Sequence, residues 1–502
     1  MTAIQTRNSV LAVTVESSEN VPVEPSASGD FIPLQDDAAM AAEFETLENA
    51  EIKASLAPSK PIQGFENPTF SFSAYLKHSG VEGTAPQTNE LIKASFGSEE
   101  VNATEYDTIA ASTVSVVKVD AGEGAQFKKG EALLLKDSAN GYSVRNVESI
   151  STDDLTLGFE LDAAPASGVN LGKAVFYEPA NSGHQSLSVW HYLGNGGMTQ
   201  MVSGNKVVSM DISAEAGQLV NCSYSLEGLE YYFNPVVIAA ADSYIDWTDD
   251  GGTFAAQIDQ KTYKDPHALA AEIASKMNAQ TAETITVVYQ DSDGKFSISA
   301  SGAVFSLLWN SGANTANTLG DKIGFDVASD DTGSLVYVSD NALSLGAPAS
   351  PSYDDSNPVV AKNASVRLGD SDDNVCFEAS SISVTMGTPK TNIDSICARS
   401  GRSGSIINER TVTASVSALL DQYDSDKFRK FRENEETRFM FNFGEKDSAG
   451  NWIPGKVVNM YMSSAVISSF AVVDNDGLVQ LDMELTAFAN SAGDGEFFLN
   501  FL

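Results

Sequence analysis

Positive charge is scarce in this chain of 502 residues, with 30 Lys and Arg against 68 Asp and Glu and a formal net charge of −38 at pH 7. Tight nucleic-acid binding relies on basic residues that displace counterions from phosphate, so the balance argues against it as the work of the whole chain, though not against loose passage of DNA past an acidic wall. Cysteine is scarce too. Cys222, Cys376 and Cys397 are far apart and odd in number, which suits a reducing compartment better than a disulfide framework. The four histidines, His78, His184, His191 and His267, are scattered, with no HExxH and none beside a cysteine pair, so no metal site is expected.

No apolar run approaches the ~18 residues needed to cross a bilayer. The opening MTAIQTRNSVLAVTVESSEN, with one Arg and a short Thr-interrupted apolar stretch, is not read as a secretory signal. A soluble chain with no membrane partner is expected. GxSxG, GxxxxGK[ST] and a GxGxxG opening a helix are all missing. SGRSGS at 400–405 has no strand-to-helix context, and the DSDG and DNDG turns at 291 and 474 lack the further oxygen ligands and twelfth-position Glu of a calcium loop. Neither an enzyme nor a cofactor is expected.

What the chain does have is a succession of short alternating segments bounded by Gly, Asn and Asp, the pattern of a mainly β protein. Residues 1–45, with VPVEPSASGDFIP, read as an arm or linker. Residues 101–182 read as an inserted β module whose SANG turn at 138–141 joins two strands. Residues 236–354 read as an inserted α+β module, because KDPHALAAEIASKMNA offers Asp265 as N-cap, Pro266 at the first helical position, and Leu269, Ile273 and Met277 on one face.

The flanks of these modules, 46–100 with 183–235 and then 355–502, follow one order of elements. In the first, AEIKASL (50–56), a loop, TFSFSAYL (69–76), a helix TNELIKASFG (88–97), LSVWHYL (187–193), VVSMDIS (207–213) and LVNCSYSLEG (219–228) succeed one another. The second has SSISVTM (380–386), a loop, TVTASVSALL (411–420), a helix SDKFRKFREN (425–434), TRFMFNFG (437–444), VVNMYMSSAVIS (457–468) and LVQLDMELTAF (478–488). Each half is thus expected to be a β-barrel or sandwich with one helix. Its core would hold Phe70, Phe72, Leu91 and Phe96 in the first half, and Phe428, Phe431, Phe439, Phe441 and Phe443 in the second, each buried ring contributing about 1.5–3 kcal/mol. Sheets of this size leave open edges, which pairing between copies in a closed ring would satisfy.

This order of elements, the loop after the first strand, the helix after the second and the closing AVVDNDGLVQLDMELTAFAN resemble the major tail tube proteins of long-tailed bacteriophages, particularly those with a duplicated tube domain. The resemblance implies stacked rings forming a conduit for DNA ejection, a virion location in the tail with assembly in the host cytoplasm, and contacts with other tail proteins. Rings of three chains with pseudo-sixfold symmetry are expected; six chains would be needed if only one flank is a true tube domain. DNA would pass the lumen without sequence-specific binding. The family's loop that touches the next ring maps onto 57–68, with Lys60, and onto 387–410, where Lys390, Arg399, Arg402 and Arg410 give a locally positive balance expected to dock on an acidic surface. Lys427, Arg429, Lys430 and Arg432 read as a solvated helix face or intersubunit ion pairs. The rival from another class is an acidic multidomain surface adhesin or carbohydrate-binding protein using exposed aromatics such as Trp247 or Trp452.

Overall fold

A computed structural model describes residues 6–26, 28–35, 38–51, 57–194, 196–373, 376, 378–398, 400–419, 425–489 and 495–502. The chain is mainly β, with three α-helices among the described residues. Its first half runs β1 (Val10–Val15), β2 (Ala39–Ala41), a hairpin of β3 (Phe44–Leu47) and β4 (Ile62–Glu66), β5 (Thr69–Tyr75), α1 (Asn89–Phe96), β6 (Ala174–Tyr177), β7 (Leu187–Leu193), β8 (Met198–Glu215) and β9 (Asn221–Glu227). After α2 (Pro266–Asn278) in the α+β module, the second half runs β10 (Ser365–Gly369), β11 (Ala379–Gly387), a hairpin of β12 (Lys390–Asp394) and β13 (Arg402–Ile407), β14 (Thr411–Leu419), α3 (Ser425–Glu433), β15 (Glu436–Lys446), β16 (Trp452–Asn475), β17 (Leu478–Ala487) and β18 (Phe498–Phe501).

Both halves pair their strands in the same order and all antiparallel, β5–β9–β8–β7–β1 in one and β14–β17–β16–β15–β10 in the other. β2 extends β5 as β11 extends β14. The first strand therefore differs from the expectation at 50–56. Ala50 and Glu51 lie in the connection of the β3–β4 hairpin, residues 52–56 fall outside the described residues, and β2 takes the first-strand position. Residues 1–45 are likewise more than an arm: β1 is a largely buried strand paired along its length with β7, because VLAVTV supplies Leu11, Ala12 and Val13 to the core.

The halves are not separate barrels. β8 also pairs with β11, from Ser209 opposite Gly387 to Glu215 opposite Ser381, so one sheet runs through both. Alternation along each strand sends one set of side chains inward. Phe70, Phe72, Tyr224, Ile212, Val384, Val416 and Met483 share a single core with Phe439, Phe441 and Phe443. α1 covers this core with Leu91, Ile92 and Phe96, the last stacked on Phe497 at 5.6 Å. It ends at Gly97, whose φ of 85° is the left-handed conformation glycine accepts. Thr88, at its N-cap position, makes no side-chain cap hydrogen bond. In α3, Phe431 packs against the core but Phe428 is 40% exposed. This corrects its assignment to the core: both rings lie over Phe470 of β16, at 5.5 and 6.0 Å, where the sheet runs past its covered part.

Six strands between Tyr106 and Leu171 form the inserted β module with its own apolar cluster, while β6 and Glu100–Asn102 belong to the large sheet. The module lies on the far side of β15 and β16. Met440, Asn442, Asn459 and Tyr461, which point away from the main core, are therefore buried as well. An amide cluster joins the two bodies: Asn146 and Asn459 exchange hydrogen bonds of 2.8 and 2.9 Å, Asn459 donates to Asn442 at 2.6 Å and Asn500 donates to Asn459 at 2.9 Å. β18 closes the junction, paired to β16 on one side and β6 on the other.

The α+β module has a separate core in which α2 packs Leu269, Ile273 and Met277. Asp265 caps α2, accepting from the Ala268 N–H at 2.7 Å. No helix among the described residues is long and apolar enough to cross a membrane.

Candidate functional site: a hydroxyl face and two hairpins

The face of the continuous sheet opposite its core is built from the alternate residues of six strands. Ser73, Ser223, Asp211, Thr385, Thr413 and Thr486 stand in one row, and Tyr75, Asn221, Ser213, Ser383, Ser415 and Glu484 in the next. The rows hold hydroxyls, amides and carboxylates and no Lys or Arg. Ser73 and Ser223 are hydrogen-bonded at 2.9 Å, and Thr385 donates to Asp211 at 2.6 Å across the β8–β11 seam. A shallow groove of about 640 Å³ crosses that seam, lined by Ser213, Glu215, Ser381, Ser383, Ser415 and Ser417 among others. Such a surface carries fixed negative charge and no cation in its rows, so it offers phosphate no ion pair.

This face escaped the sequence reading, although its strands did not. The signal was the Ser/Thr alternation in TFSFSAY, SISVTM and TVTASVSAL, whose polar members all fall on one side once the register is known.

At one end of the sheet stand the two hairpins, in corresponding places of the two halves. The charged residues expected to reach another ring are mostly held within the chain. Lys390 donates to the carbonyls of Glu227 and Gly228, both at 2.9 Å. Burial pushes its pKa down to about 8, opposed by Glu227 and reinforced by Arg402. Arg402 is buried. It donates to the Glu66 carbonyl at 2.7 Å and to Asn67, and its guanidinium lies 5.1 Å from the Phe65 ring centroid. Arg410 pairs with Glu496 and donates to Asn181 at 3.1 Å. Arg399 lies outside the described residues, and Lys60 is exposed. Lys390, Arg402 and Arg410 are thus held within the chain, and Arg402 fastens the second hairpin to the base of the first. Glu66, at that junction, also accepts from Lys264 of the α+β module at 2.9 Å. Among the side chains that the hairpins leave exposed are six large apolar ones: Phe44, Leu47 and Ile62 on one, Ile393, Ile396 and Ile406 on the other.

The basic cluster of α3 is also paired internally. Lys430 is buried against Asp370 at 2.7 Å, Lys427 against Asp373 at 3.6 Å, and Arg429 and Arg432 meet Glu433. Trp247 and Trp452 are both buried, Trp247 with its indole N–H on Asp249 at 3.0 Å, which removes the exposed rings on which a glycan-binding surface was to rest. Among the described residues no group of three His, Cys, Asp or Glu is placed to hold a metal ion.

No family model and no curated protein matches this chain. Among solved structures, the SPP1 tail tube, from a hybrid of solid-state NMR and cryo-EM, is similar at 12% identity over 29% of this chain and 80% of that one, with a TM-score of 0.22.

Proposed function

We propose that this chain is a non-enzymatic building block of a phage tail tube, assembling into stacked rings whose lumen is the hydroxyl face. The observation that carries the reading is the single sheet running through two like-ordered halves, with one face apolar and covered and, on the other face of its six central strands, two polar rows without Lys or Arg. A sheet of that kind, continued from copy to copy, closes into a hollow cylinder with no unpaired edge. Each chain supplies two sixths of a ring, so three chains complete it. DNA, a polyanion, slides along a wall whose rows hold no cation to pair with it.

With a net charge of −38, subunits repel one another at low salt. Raising ionic strength shortens the screening length to about 8 Å at physiological salt and is expected to promote assembly. Electron microscopy of the purified protein at 20 and 150 mM salt, with native mass spectrometry to count chains per ring, tests the proposal. Threefold rings stacking into tubes, more abundant at the higher salt, are the expected outcome. Particles that stay single-chain at every concentration would remove it.

A further inference from the structure

The correspondence of the halves fixes how one copy meets the next, and this step rests on the self-assembling reading above. Ser213, Asn221 and Tyr75 stand opposite one another in the first half as Val473, Gln480 and Leu419 do in the second. In the first half the outer edge of β8 at 209–215 is taken by β11. The matching stretch of β16, 469–475, pairs with β17 alone among the described residues. The counterpart of β11 is β2, which pairs with β5 alone among the described residues. One half of the chain therefore has a filled socket, and the other has the same socket empty and the plug unplaced.

Burial follows the same division. Ile212 is 1% exposed and its counterpart Val472 is 59% exposed; Val220 is 0% exposed and its counterpart Val479 is 48% exposed. Val220 is covered because the stretch ahead of β10 lies on it, with the Val220 N–H donating to the Val359 carbonyl at 2.9 Å and the Ala361 N–H to the Gln218 carbonyl at 2.8 Å. β10 matches β1, ahead of which Thr6, Arg7 and Asn8 are exposed.

We infer that the β16 edge of one copy pairs antiparallel with β2 of the next, Ala39 opposite Val473 and Ala41 opposite Ala471, with the stretch ahead of β1 lying on Val479. In that register Met40 meets Val472, an apolar pair in the place of Val384 and Ile212. The contact is head to tail, so it closes a ring and does not stop at a dimer. Glu43 and Glu45 flank the plug, and Asp474, Asp476 and Asp482 flank the socket, so like charges must be screened before the strands zip together.

Residues directly opposite in an antiparallel pair bring their Cβ atoms to about 4.5–5.5 Å, close enough for a cross-link. In a Cys376→Ser, Cys397→Ser background, mild oxidation of the assembled Ala39→Cys, Val473→Cys variant is expected to give covalent multimers up to the ring. Pairs shifted by two residues, such as Ala41→Cys with Val473→Cys, are expected to give at least tenfold less. Separately, Val472→Asp with Val479→Asp should leave the single chain folded, since both side chains are already exposed, and lower tube yield at least tenfold. If wild type assembles but the matched pair cross-links no better than the shifted pair, or the double aspartate variant makes tubes at wild-type yield, this seam is wrong while the tube reading stands. If wild type never assembles, both fall together.

Discussion

The two halves carry the same strands in the same pairing order, yet their helices end in different situations. α1 is sealed: Leu91, Ile92 and Phe96 are fully buried, and Phe497 stacks on the last of them. α3 rests on Phe470 at the open end of β16, and Phe428 is left 40% exposed. The helices differ in what they offer, since α1 brings Leu91, Ile92, Ala94 and Phe96 while α3 brings Phe428 and Phe431 among charged residues. They differ as well in what covers each place. The first half is roofed by the second half of its own chain, whereas α3 lies over a stretch of β16 that pairs with β17 alone among the described residues.

The largest effect that sharpens this contrast comes from truncating the matched rings. Phe96→Ala is expected to cost about 3–5 kcal/mol in chemical unfolding of the single chain, whereas Phe428→Ala should cost under about 1 kcal/mol there and show itself in assembly instead. Equal losses in the single chain would erase the distinction between a roofed and an unroofed half. Next is the junction with the inserted β module. Asn459→Ala leaves the amides of Asn146, Asn442 and Asn500 short of partners and is expected to cost about 2–3 kcal/mol by denaturant titration. An unchanged midpoint would mean that the module sits on β16 by apolar contact alone. Arg402→Ala, which frees the second hairpin from Glu66 and Asn67, should cost about 1.5–3 kcal/mol. Hydrogen exchange would then rise in both β12–β13 and β3–β4; exchange confined to β12–β13 would show that the first hairpin stands on its own.

The smallest effect is a pH dependence. The folded pKa of Lys390 is about 8, below its unfolded value near 10.4, so between those values the unfolded chain binds the extra proton. Stability is accordingly expected to rise from pH 8 to 10 by the share this group contributes. Lys390→Met should flatten that rise, and an identical slope in the variant would assign it to other groups.

Much of this architecture is legible in the sequence because alternation and turn residues report strands directly. The five core residues Phe70, Phe72, Phe439, Phe441 and Phe443, with Leu91 and Phe96, are buried where period-two and helical spacing put them. Register and edges are not legible, since nothing local says which strand lies beside which. That is why AEIKASL stood in for β2, why β1 passed for an arm, and why the cations of 387–410 looked available. Lys390 and Arg402 find their acceptors about 160 and 335 residues away, and no local pattern carries that pairing. The hydroxyl face was hidden for the same reason, its rows being assembled from six segments.

β18 joins Val175 of β6 to Phe501, and β1 is paired with β7 nearly two hundred residues later. Loops that long must close before their contacts can reward them, so the large sheet is slow to form, while the α+β module, made of near neighbours in sequence, can fold early. Newly made chains would spend that interval with unfinished strand edges in a crowded cell, where chance pairing competes with the native one. Chaperone demand and yield at low growth temperature are therefore as much a property of this topology as the finished fold.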